Sequence, residues 1–190
     1  MKSAKKAYLV PAGKPIKSED FTEFHECRLL LLLRHAGQKR RTDGTYRLKG
    51  MTKLAKIDFF IRYPQFFGEF ALAEGIDCGD ELEPTVAEPK MIRYRYGPWD
   101  KRYNHVLPRL EAKGLIQVMP SGNSYEIILT PTGVGVVDEL EEIPELGDLT
   151  QRVQFVGSKL KPYTGSKLKD RIYSIFAEEV GGKSLGEGIG

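Results

Sequence analysis

Hydrophobic positions along this chain recur mostly at helical spacing. Phe21 and Phe24 lead into the unbroken run Leu29-Leu30-Leu31-Leu32-Leu33, which stops before Gly37. A helix that becomes apolar on every side predicts an element at the centre of a core. Asp20 and Glu23 stand at capping-box spacing, with Ser18 as another cap, and acidic residues suit the positive end of a helix. From Gly50, the positions Met51, Leu54, Ile57 and Ile61 repeat the period and leave Lys53, Lys56 and Arg62 for the outer face, until Pro64 stops the helix. Residues 65–75, with Phe66, Phe67 and Phe70, predict a short further helix. Tyr103, Val106, Leu107 and Leu110 mark another, closed by Gly114, because glycine enters the left-handed conformation without penalty. Pro108 falls inside it and predicts a kink or a restart.

The period then changes to two. Leu115 opens a short apolar run, Pro120-Ser121-Gly122-Asn123 is turn chemistry, and Tyr125, Ile127 and Leu129 alternate, which together predict a hairpin. Upstream, Asp43-Gly44 marks a turn before a short strand at Thr45-Tyr46-Arg47-Leu48. Residues 91–96 alternate Arg93 and Arg95 with aromatics, as a strand or as the approach to the next helix. Beyond the hairpin, Thr132 is placed to cap a helix bearing Val134, Val136, Val137 and Leu140, and residues 149–160 predict a second, stopped by Pro162. Thr164 or Ser166 then caps a last amphipathic helix with Leu168, Ile172, Ile175, Phe176 and Val180, ended by Gly181-Gly182. The expected fold class is α+β, mostly α.

The string Val106-Leu107-Pro108-Arg109-Leu110-Glu111-Ala112-Lys113-Gly114-Leu115-Ile116, followed by a hairpin and Leu129-Thr130-Pro131-Thr132-Gly133, resembles the recognition helix, wing and next helix start of winged-helix proteins of the MarR and PadR families. That resemblance implies a winged helix with a small β-hairpin wing, an insertion between helices two and three, and extra C-terminal helices. On this division residues 1–17 are a flexible lead-in and 18–143 the winged-helix domain with an acidic insertion at 64–92. Residues 144–182 form a helical extension and 183–190 a flexible tail. In these families the third helix lies in the DNA major groove and the wing lies on the adjacent backbone. The same fold also serves as a protein-docking module, so groove binding has to be argued from side chains. The insertion departs from the tight turn, about three or four residues, of an ordinary helix-turn-helix.

Composition narrows the classes. A chain of 190 residues with 41% hydrophobic and 29% charged positions has enough apolar surface for one sizeable core and is not a disordered polymer. Two cysteines, Cys27 and Cys78, are too few for a disulfide framework or a zinc site, so a reducing cytoplasm is the expected location. The five-leucine run is far too short to span a bilayer, and no membrane role is expected. The net charge of +3 conceals an asymmetry: residues 1–63 hold 15 Lys and Arg against 6 Asp and Glu, whereas residues 64–92 hold 1 against 7. A cationic half suits an anionic partner.

Lys39, Arg40, Arg41, Arg47, Lys49, Lys53 and Lys56 are candidates to line a phosphate backbone, since neutralising phosphates releases condensed counterions. On the recognition-type helix, Lys101, Arg102, Asn104 and Arg109 are the candidates for nucleic acid. Arginine and asparagine match guanine and adenine edges, which singles out Arg102 and Asn104. The hairpin works against DNA reading, because no Lys or Arg occurs between Lys113 and Arg152. A wing without cations shifts weight towards protein contact.

Catalysis has little support. His25, His35 and His105 are dispersed, and neither an H-E-x-x-H motif, a cysteine pair nor a G-x-S-x-G elbow occurs. Gly182-Lys183-Ser184 imitates the end of a phosphate-binding loop, but Ala177 occupies its first glycine position. The chain is therefore expected to be non-enzymatic, without a cofactor. In make-up, and in the segments Lys53-Leu54-Ala55-Lys56-Ile57-Asp58-Phe59-Phe60 and Arg93-Tyr94-Arg95-Tyr96-Gly97-Pro98-Trp99, it is similar to middle components of antiphage systems built around an SMC-like ATPase, the Lamassu or ABC-three-component type. This implies an accessory or docking subunit that touches DNA backbone through a basic face. Other subunits or a second copy would be held through Leu168, Ile172, Ile175 and Phe176. The alternative is a homodimeric DNA-binding transcriptional regulator of MarR or PadR type.

Overall fold

The computed structural model describes residues 21–78, 91–94 and 97–189. Of these, 59% are helical and 17% are in strands, so the protein is α+β and mostly α. In chain order the elements are α1 (Thr22–Ala36), β1 (Gln38–Lys39), β2 (Tyr46–Lys49), α2 (Met51–Arg62), α3 (Pro64–Glu74), β3 (Met91–Tyr94) and β4 (Gly97–Trp99). There follow α4 (Tyr103–Ala112), β5 (Ile116–Ser121), β6 (Ser124–Leu129), α5 (Pro131–Glu141), α6 (Gly147–Leu160), α7 (Gly165–Ile175) and β7 (Gly188–Ile189).

The first sheet has the order β1-β2-β6-β5, all antiparallel, with Tyr46 opposite Leu129 and Leu129 opposite Ile116. The strand between the first two helices thus lies beside the second strand of the hairpin. The β5 edge is blunted: Pro120 has no N–H to offer and the Val118 N–H donates to Glu111 Oε1 at 2.9 Å. The second sheet has the order β4-β3-β7 and ties the C-terminal Ile189 to Met91.

The five-leucine run forms the centre, as its all-round apolarity predicts. Leu29 to Leu33 are each at most 2% exposed, because α2, α4, α5, α6, β2 and β6 surround α1. Full burial of each leucine side chain contributes roughly 1.5–3 kcal/mol relative to exposure. A second focus is aromatic, with Phe60, Phe66, Phe70 and Phe176 at ring-centroid separations of 4.8–6.5 Å. α7 and the π-helical turn Ala177–Gly181 close over it.

Several expectations need correction. Periodicity places Lys53, Lys56 and Arg62 on an outer face, yet all three are buried, since α2 is packed by α1, α3, α6, α7 and β4. Their heads find internal acceptors: Lys161 O for Lys53, Pro98 O for Lys56 and Asp100 for Arg62. The helix after the hairpin is capped by Thr130, not Thr132; Thr130 Oγ1 accepts from the Gly133 N–H, and Pro131 takes the first helical position. α4 runs unbroken through Pro108, an exposed residue. The expected flexible tail at 183–190 instead carries β7, whose Ile189 is 1% exposed. The proposed caps Ser18 and Asp20, the lead-in, and residues 79–90 of the acidic insertion lie outside the described residues. No described helix is long and apolar enough to cross a membrane.

Candidate nucleic-acid interface

Helix α4 is anchored by its own charges. Asp100, just before it, accepts from the Arg102 amide at 2.9 Å and from the Arg102 side chain, and pairs with buried Arg62 at 2.8 Å. Burial alone would raise the Asp100 carboxyl, but the Arg102 bonds and the Arg62 charge outweigh it and hold its pKa at about 2. Arg102 also reaches His25 Nε2, and the Tyr103 hydroxyl donates to Asp58, itself paired with Arg28. This network fixes α4 against α1 and α2, across the long insertion that separates α4 from α2 in sequence. Further along, Arg109 pairs with Glu23 and Glu26, and Lys113 with Glu26. Of the candidates on this helix, Arg102 and Arg109 are thus engaged with acids of the same chain, whereas Lys101 and Asn104 are exposed.

The other basic candidates converge elsewhere. A cleft of about 820 Å³ opens between the β1–β2 hairpin, the start of β6, the start of α2 and the start of α7. Lys39, Arg40, Arg47, Lys49, Lys53, Lys161 and Lys169 line it, and Glu126 is the one acidic lining residue among the described residues. None of its lining residues comes from α4.

Local chemistry explains the cationic side of this cleft. The Asp43 carboxylate accepts from both the amide and the hydroxyl of Thr45, bonds that hold it below the usual carboxylate range. Together with Gly44 at φ +69°, this closes the turn that carries Arg40 and Arg41. On β2, Arg47 is steadied by Glu126 at 3.1 Å and Asp43 at 3.3 Å, and Lys49 stays exposed. Lys53 has its ammonium pushed below its ordinary pKa, first by burial and then by the charge of Lys161. Of the cations in the lining, Arg47 is thus paired with acids, and Lys169 meets Asp170 at 2.9 Å.

Five of the seven predicted backbone-binding residues therefore line one cleft. Arg41 is exposed on the same turn but outside the lining, and Lys56 points into the core. Sequence reasoning missed Lys161, Lys169, Thr52, Ser124 and Ser166. Lys161 and Lys169 sit more than a hundred residues from the basic hairpin, and only Pro162 with the Thr164 cap hinted that a new helix starts between them. Leu168, Ile172 and Phe176, expected to meet a partner, are buried in the chain's own core; Ile175 is half-buried. Among the described residues, no group of three His, Cys, Asp or Glu is placed to hold a metal.

Comparison with protein-family models, curated proteins and solved structures finds no match to this chain.

Proposed function

We propose that this protein is a non-enzymatic winged-helix subunit that holds nucleic-acid backbone in the cleft beside its wing, and does not read bases with α4. The helix–strand–helix, helix, hairpin order and the β2-β6-β5 pairing support the winged-helix reading. The observation that carries the binding mode is the convergence, among the described residues, of seven cations and one carboxylate in one cleft, with Arg47 and Lys169 paired with acids, against an α4 whose Arg102 and Arg109 are both so paired. Backbone contacts give affinity without sequence information, which suits an accessory subunit of a DNA-associated SMC-like ATPase defence complex.

The homodimeric regulator reading loses support at its dimer contact. Leu168, Ile172 and Phe176 serve the monomer's own core, so α7 has little apolar face left for a second copy. Native mass measurement of the isolated chain separates the two readings, with a monomer expected here and a stable dimer under the regulator reading. For binding, fluorescence anisotropy with several unrelated oligonucleotides over a salt series should give affinities within a few-fold of each other that fall steeply with salt. One sequence bound a hundredfold more tightly than the others would overturn the backbone-holding account.

A further inference from the structure

The β3–β4 pair carries an aromatic arrangement that neither the core nor the cleft uses. Tyr94, opposite Gly97, and Trp99, opposite Ile92, are diagonal neighbours across the two strands, with ring centroids 5.8 Å apart and an interplanar angle of 32°. Behind them Trp99 meets Tyr103 edge-on, at 5.2 Å and 88°. Tyr103 is only 2% exposed, and its hydroxyl is bound to buried Asp58. The series therefore ends in a Tyr94 ring that is supported from within the fold and 50% exposed.

Position and charge indicate what this ring is suited to meet. A Cβ on Gly97 would lie 3.3 Å from Lys56 Nζ and 3.7 Å from Tyr173 Cε2. Lys53 and Lys169, about one turn earlier on the same two helices, line the cleft. The strand pair thus stands roughly 5 Å along α2 and α7 from the cleft wall, within reach of a polymer that continues out of it. Arg93 adjoins Tyr94, and exposed Lys101 follows Trp99 by two residues. The acid between them in sequence, Asp100, is buried and already paired with Arg62 and Arg102. A nucleotide matches both features, since its base has a flat π-face and its phosphate is anionic.

We propose that Tyr94 and Trp99 form a stacking ledge for an unpaired nucleobase, so that the nucleic acid held in the cleft is single-stranded. The inference rests on the reading above that the cleft takes nucleic-acid backbone, and it names the form of that ligand. In a duplex the base faces are covered by their neighbours, whereas in a single strand they are free to stack on a side chain. Every base has a π-face, so the ledge adds affinity without sequence preference, as the backbone contacts do.

Trp99 is the chain's one tryptophan, so its fluorescence reports on the ledge directly. The full chain is titrated with a mixed-sequence single-stranded oligonucleotide, with the corresponding duplex, and with an oligomer of abasic sugar units that carries the same number of phosphates. The single strand is expected to quench Trp99 saturably and to bind at least tenfold more tightly than the abasic oligomer, which leaves the emission unchanged. Tyr94→Ala, at a half-exposed position, should keep the melting temperature and lose that tenfold advantage, and Tyr94→Phe should retain it. Equal affinity for the single strand and the abasic oligomer would overturn the ledge and leave backbone binding in the cleft standing. Quenching by the duplex equal to that by the single strand would overturn the assignment to unpaired bases. Unchanged quenching and affinity after Lys39→Ala, Lys49→Ala and Lys169→Ala combined would sustain the ledge and overturn the reading of the cleft. Emission unmoved by every oligonucleotide would overturn the ledge and leave this face to a protein partner.

Discussion

Arg28 and Asp58 face each other between α1 and α2, with Nε 2.7 Å from Oδ1 and Nη2 3.4 Å from Oδ2, and neither side chain is more than 1% exposed. The Tyr103 hydroxyl donates to the same carboxylate at 2.7 Å, which brings α4 into the pair. Removing one partner of a buried pair leaves an uncompensated charge, at a cost of about 3–5 kcal/mol. Asp58→Ala is therefore expected to lose stability of that order in urea denaturation. Arg28→Leu combined with Asp58→Leu should recover a large part of it. A loss below about 1 kcal/mol for the single variant would mean that the pair does not organise the three helices.

Acid should loosen the same region. Asp100 has its pKa lowered from 3.8 to about 2. A carboxylate depressed by folding contributes stability that is present above the unfolded value and is lost as pH falls through the folded one. The denaturation midpoint should therefore drop between about pH 4 and pH 2, and Asp100→Asn should flatten that part of the profile. An identical slope in the variant would contradict this origin.

Lys56 gives the same sign of pH dependence at higher pH, here because its charged form is disfavoured by folding. Its ammonium is buried among α2, β4 and Tyr173 with Pro98 O as its acceptor at 3.0 Å, and burial lowers its pKa from 10.5 to about 7. Gly97, at φ +97°, leaves the room, since a Cβ there would sit 3.3 Å from Lys56 Nζ. Between pH 7 and 10.5 the unfolded chain binds the extra proton, so stability rises with pH through that window. Lys56→Met removes the desolvation cost and should be more stable than the parent below pH 7, with the gap closing towards pH 10.5. A destabilised Lys56→Met at pH 6 would show that the bond to Pro98 outweighs the cost of burial.

The joint between the hairpin and α5 is built around Gly133. A Cβ there would fall 2.1 Å from Leu115 O and 2.7 Å from Leu129 Cδ1, and the first of these contacts is backbone. Gly133→Ala should cost on the order of 1–3 kcal/mol, read as a lower thermal midpoint, despite the better helix propensity of alanine. Gly135→Ala, with nothing within 4 Å of its Cβ position, is the matched control and should be neutral or stabilising.

Periodicity made most of the elements legible. The all-round apolar end of α1, the Gly114 stop of α4, the two-residue alternation of β6 and the Phe-rich α3 are all present where residue spacing placed them. Spacing failed where a helix is enclosed. α2 reads as amphipathic, but neighbours cover its polar side too, and Lys53, Lys56, Asp58 and Arg62 become internal because each meets a partner from a distant segment. β7 was hidden for a related reason: a two-residue strand in a glycine-rich stretch has no period, and its pairing with β3 is a tertiary event. The basic half of the cleft could be read from Lys39 to Lys53 as a charge run. Its other half needed α7 folded back onto the start of α2, which no local pattern encodes.

The most direct measurement compares nucleic-acid affinity in two variants of matched charge change, one in the cleft and one on α4. Lys39→Ala, Lys49→Ala and Lys169→Ala combined should weaken binding at low salt at least tenfold and reduce the slope of log affinity against log salt by about 2–3. Lys101→Ala, Arg102→Ala and Arg109→Ala combined, in protein that still melts cooperatively, should leave affinity within about threefold. The reverse pattern, with the α4 variant losing binding and the cleft variant keeping it, would contradict the account.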